Sequence, residues 1–234
     1  MSAEIFLIPI VLHEDEESIQ AIPSYVLEAV KKCRVFFAEN EKTARRYFKK
    51  MWREMVIDNY EWFSIHKAEE QQIKEFLRCL KEGKTVGIIS EAGCPGIADP
   101  GQILVDAAQT NNYKVNPLVG PNSILLALMA SGMNGQLFQF NGYLPIDSFE
   151  RKKKLRELEL HSSQTGCTHI FIETPYRNNA LIQEIVQTCN AETKFCIAAE
   201  ITGKNEFIKT KKIRQWKNSI PDLHKKLVIY LLQA

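Results

Sequence analysis

Residues 85–101 read TVGIISEAGCPGIADPG, and this stretch decides the fold. Its first five residues form a short, β-branched apolar run, which is typical of a buried strand. Apolar side chains at helical spacing predict one helix over residues 67–82, ended by Gly83, and another over residues 102–110. The stretch therefore predicts a buried strand between two helices, with a loop rich in glycine and proline at its carboxyl end.

The first half of the chain repeats this alternation of strand and helix. Further strands are predicted at residues 5–10, 35–38 and 114–118, and further helices at residues 24–32 and 43–51. Such alternation favours a mostly parallel, wound sheet.

The pattern changes after residue 118. Asn122 or Ser123 can cap a helix that stops at Gly132. Helices at 149–160 and 178–188 and strands at 137–140, 169–173, 195–199, 206–210 and 227–232 follow. A turn-like segment at 202–205 indicates an antiparallel hairpin. We therefore expect a two-domain α/β protein, with a mostly parallel wound sheet in residues 1–118 and a mixed sheet in residues 119–234.

Composition sets broad limits on function. The chain has 234 residues, 45% hydrophobic and 25% charged, which is the balance of a soluble globular protein. Its formal charge of +2 neither favours nor excludes a polyanionic partner. The apolar run near the N-terminus is too short for a membrane helix and lacks the features of a signal peptide. We therefore expect a cytoplasmic location and no membrane partner.

The spacing of cysteines and histidines argues against a metal site. No two of the six cysteines form a C-x-x-C pair, and the five histidines show no H-x-x-x-H spacing. Most of the cysteines lie in apolar patterns, where a reduced thiol behaves as a small hydrophobic side chain. We therefore expect no bound metal.

The loop over residues 90–101 is the candidate ligand site, because wound sheets bind ligands at the carboxyl ends of their strands. Its glycines permit a close backbone approach, and its prolines fix its shape. A carboxylate at Glu91 or Asp99 could hold a ribose hydroxyl or an ammonium group. An ordinary tight turn explains the same composition. The chain lacks a G-x-G-x-x-G or P-loop motif, which disfavours a kinase or NTPase.

The segment SEAGCPGIADPG at 90–101 resembles the S-D-A-G-T-P-x-I-S-D-P-G loop of the tetrapyrrole-methylase superfamily, and most closely its ribosomal small-subunit RNA 2′-O-ribose methyltransferase branch. Five more segments match that branch in order. AENEKTARR at 38–46 is similar to A-E-D-T-R with paired arginines, VGPNS at 119–123 to P-G-P-S-A, NGYLP at 141–145 to G-F-L-P, ETPYR at 173–177 to E-S-P-H-R, and AEITGK at 199–204 to R-E-L-T-K.

The chain departs from that pattern at two places. The short T-P-I-G-N-L-x-D turn after the first strand is replaced by a longer, acidic segment at residues 8–17. E-D-T-R becomes Glu39-Asn40-Glu41-Lys42, which loses one acid and gains another.

The resemblance implies a homodimer that binds S-adenosyl-L-methionine. Carried over by position, the cofactor-binding residues are Pro9, Ser90, Glu91, Ala92, Gly93, Ile97, Ala98, Asn122, Ser123, Glu173 and Glu200. The implied partner is ribosomal RNA or the small ribosomal subunit.

Glu39 is the candidate catalytic residue, since an acceptor near a ribose hydroxyl would assist proton removal. An ordinary carboxylate at a helix start is an equal alternative. Lys42, Arg45, Arg46 and Arg177 are the candidate substrate-binding residues, and a second basic cluster lies at 151–156. A solvated helix face explains each basic patch taken alone, whereas two patches flanking the predicted cleft favour RNA. For Arg177 the alternative is pairing with a neighbouring acid.

Two other functions remain open from sequence. One is methylation of a tetrapyrrole, or of an amine on a modified protein residue, as in other branches of the superfamily. The other is a protein that binds S-adenosylmethionine without turnover, which the altered segment at residues 39–42 would permit.

Overall fold

The structure is a computed structural model that describes residues 3–65 and 69–234. The chain divides into two compact units, Met1–Asn122 and Ser123–Ala234. Among the described helices, none is long and apolar enough to cross a membrane.

The first unit is a five-stranded parallel sheet with helices between its strands. The strands have the order β3-β2-β4-β1-β5. In chain order the elements are β1 (Glu4–Ile8), α1 (Tyr25–Lys32), β2 (Val35–Ala38), α2 (Glu41–Met51), β3 (Glu61–Ser64), α3 (Glu69–Lys81), β4 (Val86–Ile89), α4 (Gln102–Thr110) and β5 (Lys114–Pro117). Short 3₁₀ turns occupy Glu16–Ala21 and Ile57–Asn59.

The inner strands β2 and β4 are fully buried, as their uninterrupted apolar sequences predict. Successive side chains of β2 point to opposite faces, so that Phe36 belongs to one hydrophobic cluster and Phe37 to the other. The expected mostly parallel, wound sheet is confirmed in this unit.

Strand β3 has no counterpart among the predicted strands. It pairs with β2 at the edge of the sheet, where Trp62 packs 4.9 Å from Phe36 and Phe63 stacks 4.8 Å from Phe37. Its sequence, Glu-Trp-Phe-Ser, is short and has exposed polar residues at both ends. Pairing with β2 therefore determines this strand, and its own sequence pattern does not predict it.

Helix α2 begins two residues earlier than predicted because Asn40 caps it. The Asn40 side-chain oxygen accepts hydrogen bonds from the backbone N–H of Lys42 at 3.0 Å and of Thr43 at 3.3 Å. Helix α3 is described from Glu69, and its predicted start at Lys67 lies outside the described residues.

The second unit contains a mixed five-stranded sheet with the order β6-β7-β10-β8-β9. Strands β6 and β7 are parallel and the other pairs are antiparallel, which confirms the expected mixed sheet and the hairpin between β8 and β9. Its elements are α5 (Ser123–Ser131), β6 (Phe138–Tyr143), α6 (Ser148–Thr165), β7 (Thr168–Ile172), α7 (Asn178–Thr188), β8 (Lys194–Ala199), β9 (Phe207–Lys212), α8 (Ile213–Trp216) and β10 (Val228–Gln233).

Candidate functional site

The carboxyl edge of the parallel sheet gathers several of the residues singled out from the sequence. Pro9 follows β1, Glu39 follows β2, and Ser90 opens the loop after β4. Strand β4 lies between β1 and β2, so these residues stand at three neighbouring strand ends. Because wound α/β sheets bind ligands at this edge, we take it as the candidate site.

Left-handed backbone conformations shape the loop at residues 90–101. Gly93 has a φ of 70°, which suits glycine, but Ala98 also has a φ of 64°. A left-handed conformation costs a residue with a side chain roughly 1–2 kcal/mol. Such strain is concentrated at ligand sites. Ala98 and Ile97 are exposed at this bend, with Ile97 half-exposed at 50%.

Backbone hydrogen bonds fix the loop to the chain that follows β1. The N–H of Ile10 donates to the Gly93 carbonyl at 2.8 Å, and the N–H of Gly93 donates to the Ile10 carbonyl at 3.2 Å. The buried Ser90 hydroxyl donates to the Ala92 carbonyl at 3.2 Å. The loop is therefore preorganised by contacts within the first unit.

The backbone at Gly120 packs against the same edge of the sheet. A Cβ added to Gly120 would lie 2.1 Å from Cβ of Pro9, so only glycine fits this approach. The Cys94 thiol donates to the Pro121 carbonyl at 3.6 Å, and the Tyr47 hydroxyl donates to the Pro9 carbonyl at 2.9 Å. Three segments that are distant in sequence thus meet around Pro9.

Three carboxylates lie at the mouth of this edge. Glu39 accepts a hydrogen bond from the Glu91 backbone N–H at 2.9 Å, and the Thr43 hydroxyl donates to the Glu91 carboxylate at 3.4 Å. Burial, followed by the negative charges of Glu39 and Glu91, raises the pKa of Asp99 from 3.8 to about 7. The edge therefore carries a negative potential that favours a cationic ligand.

The candidate residues of the second unit lie around its own strand ends. Glu173, buried after β7, accepts hydrogen bonds from the Arg177 guanidinium, with Nε at 3.0 Å. Glu200 has a φ of 52° and accepts a hydrogen bond from the Leu227 backbone N–H at 2.7 Å. Ser123 begins α5. Arg177 thus pairs with a neighbouring acid, one of the two alternatives drawn from sequence.

Asn122 ends the first unit and touches the loop. Burial raises the pKa of the Cys94 thiol, and a hydrogen bond with the Asn122 side chain lowers it by a smaller amount. Asn122 therefore belongs to the same group of contacts as Pro121 and Gly120.

Curated relatives share this sequence over much of its length. The chain is 36% identical over 147 residues to "Ribosomal RNA small subunit methyltransferase I" of Vibrio cholerae, an alignment covering 62% of this chain and 50% of the relative. It is 33% identical over 177 residues to the protein of the same name from Pasteurella multocida, covering 74% of this chain and 62% of the relative. The chain spans about half the length of the first of these relatives. No protein-family model matches the chain.

Solved structures match nearly the whole chain. The methyltransferase CobJ superposes with a TM-score of 0.64 at 16% identity, covering 99% of this chain and 94% of that one. Diphthine synthase gives a TM-score of 0.66 at 15% identity, covering 100% and 90%. Uroporphyrin-III C-methyltransferase from Thermus thermophilus, complexed with S-adenosyl homocysteine, gives 0.56 at 11% identity, covering 99% and 97%. At these identities the likeness concerns the fold.

The chain is similar in sequence to methyltransferases that modify ribosomal RNA and shares the fold of the solved methyltransferases. Its fold class is that of these solved methyltransferases, and its curated relatives carry the name of the branch that the loop sequence resembles.

The two departures from the superfamily pattern each place an acid beside an arginine of helix α2. Glu41, the acid gained at the start of α2, pairs with Arg45 at 2.7 Å. Glu14, from the longer acidic segment, pairs with Arg46 at 2.9 Å. The guanidinium of Arg45 also lies 5.0 Å from the ring centre of Trp62. Both α2 arginines that are expected to contact substrate therefore have acidic partners.

Lys42 differs from these arginines because it lies beside the carboxylates. It borders an open cleft of about 390 Å³, whose other lining residues are Glu39, Asn40, Glu41, Ser64 and Glu91. The second basic cluster, in α6, is partly neutralised, since Arg151 forms an ion pair with Glu184. Among the substrate candidates in the described first unit, Lys42 has the most direct access to the site.

Sequence reasoning missed the residues that hold the site in place. The sequence indicates no site role for Tyr47 or Cys94, whereas both contact the edge of the site. Ser64 lies in the strand that was not predicted. A tyrosine on the buried face of α2 was the one available signal, since a buried tyrosine hydroxyl needs a partner.

Proposed function

We propose that this protein is an S-adenosylmethionine-dependent methyltransferase that methylates a ribose 2′-hydroxyl in small-subunit ribosomal RNA. The loop at residues 90–101 carries the proposal, because its strained, anchored bend lies at the ligand-binding edge of the sheet. The names of the curated relatives supply the substrate class. The shared fold supports the cofactor.

The residues of the first unit fit a cationic nucleoside cofactor. Bound S-adenosylmethionine supplies an activated methyl group on a positively charged sulfonium. Glu91 and Asp99 provide the opposite charge, and the left-handed bend at Gly93 and Ala98 presents backbone without an intervening side chain. We assign cofactor binding to Pro9 and the loop residues Ser90, Glu91, Ala92, Gly93, Ile97 and Ala98, with Asn122 beside them.

Ser123, Glu173 and Glu200 are the proposed cofactor-binding residues of the second unit. Glu173 and Glu200 have fixed carboxylates, each held by a backbone N–H or a guanidinium. Such fixed acceptors suit recognition of hydroxyl or amino groups.

Glu39 is the proposed proton acceptor for the ribose hydroxyl. Its carboxylate is oriented by the Glu91 N–H and borders the cleft with Lys42. This hydrogen bond holds the carboxylate in a fixed orientation, and an oriented carboxylate suits proton removal from a nearby hydroxyl. Lys42 is the proposed phosphate contact of the same site.

Arg45, Arg46 and Arg177 remain proposed substrate contacts, but each must exchange an acidic partner for a phosphate. The pair between Arg46 and Glu14 is largely exposed, and exposed pairs contribute only about 0–1 kcal/mol. A phosphate can therefore displace Glu14 at small cost.

We also propose a homodimer in the cytoplasm. Large apolar side chains are exposed on the second unit, among them Met129 at 79% and Ile146 at 77%. An exposed apolar patch favours association. Sedimentation at micromolar concentration should give twice the monomer mass, and a monomer there would contradict the proposal.

Calorimetric titration with S-adenosylmethionine tests the cofactor site. Gly93→Val should abolish binding, because Gly93 has a left-handed φ that strains any residue with a side chain, and the valine side chain would extend toward Leu12 and the Pro121 carbonyl, each 3.4 Å from its Cβ. Gly135→Val is the matched control, since Gly135 has open space around it. Circular dichroism checks that both variants fold. Undiminished affinity in Gly93→Val would refute the placement of the cofactor.

Transfer of a labelled methyl group tests the reaction. The acceptor is the small ribosomal subunit from cells that lack the gene, and the product is identified as a 2′-O-methylated nucleotide. Glu39→Gln should lower kcat by roughly 10²–10⁴-fold while leaving cofactor affinity little changed. Cofactor binding without transfer to ribosomal RNA would favour a protein that binds the cofactor without turnover. Transfer to a tetrapyrrole instead would favour the other branch of the superfamily.

A further inference from the structure

Two histidines and a cysteine converge in the second unit, and the proposed methyl transfer uses none of them. The ligand atoms of His161, Cys167 and His169 all lie within 4.8 Å of one another. Nδ1 of His161 is 2.9 Å from Nε2 of His169. Cys167 and His169 are buried, whereas His161 is exposed. The group therefore brings together three possible metal ligands, one of which lies at the surface.

The end of α6 and the start of β7 build this cluster. His161 lies in the C-terminal part of α6, and Gly166, with a φ of 72°, reverses the chain so that β7 returns alongside the helix. The Ser162 hydroxyl donates to the Cys167 carbonyl at 2.7 Å. The Thr165 hydroxyl donates to the His161 carbonyl at 2.7 Å and accepts from the Cys167 N–H at 3.2 Å. The backbone that carries the cluster is therefore fixed before any ligand binds.

We propose that His161, Cys167 and His169 bind one divalent transition-metal ion, with Zn²⁺ as the expected ion. Two imidazoles and a thiolate are the borderline and soft ligands that zinc prefers. Zinc–ligand distances of about 2.0–2.3 Å place tetrahedral ligand atoms roughly 3.3–3.8 Å apart. The observed separations, from 2.9 Å up to 4.8 Å, bracket that value. Water fills the fourth position from the exposed His161 side.

Metal binding exchanges protons and transfers no electrons. The Cys167 thiol releases its proton to solvent as its sulfur binds the ion. The proton shared between the two rings moves to the outer nitrogen of a ring, so that both inner nitrogens present lone pairs. The Asn141 amide nitrogen, a donor, lies 3.3 Å from Nδ1 of His169, so that metal binding through Nε2 requires this amide to turn and present its oxygen to the Nδ1 proton. Zinc-bound histidines usually have such a partner.

The bound ion would join the end of α6 to β7. Both elements pack against β10 or the sheet around it, so that the ion would stabilise the second unit. The cluster shares no residue with the proposed methyltransferase site, so that failure of either proposal leaves the other standing.

Cobalt substitution of the full chain, reduced and freed of metal, tests the site. One equivalent of Co²⁺ should produce the intense visible bands of tetrahedral cobalt and a near-ultraviolet thiolate-to-cobalt band, and Zn²⁺ should displace both. Cys167→Ser should lose the thiolate band. Cys196→Ser, which removes another buried thiol of the same unit, should keep it.

His161→Asn protects the test against misfolding, because His161 is exposed. It should weaken Zn²⁺ binding at least ~100-fold, since even loss of a second-shell partner costs about 10–100-fold. His224→Asn, an exposed histidine of the same unit, should have no effect. Weak six-coordinate cobalt bands in the parent protein, or bands that survive in both cluster variants, would overturn the proposal.

Discussion

Replacing Gly120 by alanine tests how closely the segment before the second unit packs on the candidate site. The new Cβ would lie 2.1 Å from Cβ and 2.6 Å from Cγ of Pro9. Carbon atoms attract best at about 3.5–4.0 Å, so that the contact is more than roughly 1 Å too short. Pro9 cannot swing away, because its ring is part of the backbone and its carbonyl accepts the Tyr47 hydroxyl.

The expected cost of this substitution is about 1–3 kcal/mol, the usual range for overpacking. We expect the upper half of that range, since both obstructing atoms belong to a rigid ring. With a urea dependence of about 2 kcal/mol per molar, the midpoint of unfolding should fall by about 1 M. Gly87→Ala should cost less, because its Cβ would meet the movable Cδ1 of Ile8 at 2.6 Å and the Phe36 ring at 2.7 Å.

Urea unfolding monitored by circular dichroism gives the midpoint, and hydrogen exchange shows which strands lose stability. Exchange should accelerate in β1 and β4 of Gly120→Ala and remain unchanged in the second unit. Gly135→Ala is the matched control, because nothing lies within 4 Å of its added Cβ, and it should stay within about 0.5 kcal/mol of the parent. An unchanged midpoint in Gly120→Ala would show that the approach to Pro9 is not as close as described.

Three further predictions concern the same edge. Because the folded-state pKa of Asp99 is raised from 3.8 to about 7, its contribution to stability is present below the lower value and is lost as pH rises through the higher one. Asp99→Asn should therefore flatten the fall in unfolding free energy over that interval, and a slope equal to the parent's would contradict the assigned burial. Asn40→Ala should destabilise the protein by about 0.5–2 kcal/mol in urea unfolding through loss of the α2 cap, whereas Asn40→Asp should retain most of the stability that the cap contributes. Tyr47→Phe should cost about 1–3 kcal/mol by leaving the Pro9 carbonyl without its partner, and equal stability would exclude that hydrogen bond.

Much of the fold could be predicted because its signals are local. Strand β2, helix α4 and helix α7 have the predicted bounds, since apolar periodicity and flanking polar residues define each of them. Strand β3 could not be predicted, because its four residues become a strand only through pairing with β2. Asn40 is a typical cap residue, but whether it caps α2 depends on its extended backbone conformation, which the sequence does not give.

The candidate site divides in the same way. The loop at residues 90–101 was recognisable from its own composition and motif. The contact between Gly120 and Pro9 joins segments more than a hundred residues apart, and no local pattern records it. The cluster of His161, Cys167 and His169 was also missed, because its His-x₅-Cys-x-His spacing matches no common metal motif. The three side chains come together because β7 returns alongside the end of α6, which the spacing alone does not indicate.

The two departures from the superfamily pattern are best understood as one change. Considered separately, the acidic segment at residues 8–17 would repel RNA phosphates, and Glu41 would weaken the basic face of α2. In the structure Glu14 and Glu41 each pair with one of the adjacent arginines, and the Lys50 ammonium donates to the Glu14 carbonyl at 3.3 Å. The acidic segment thus covers the basic helix face. The Glu14–Arg46 pair is largely exposed and weak, so that an incoming phosphate backbone can displace Glu14, whereas the half-buried Glu41–Arg45 pair is harder to displace. The added acids therefore act mainly against weakly charged ligands.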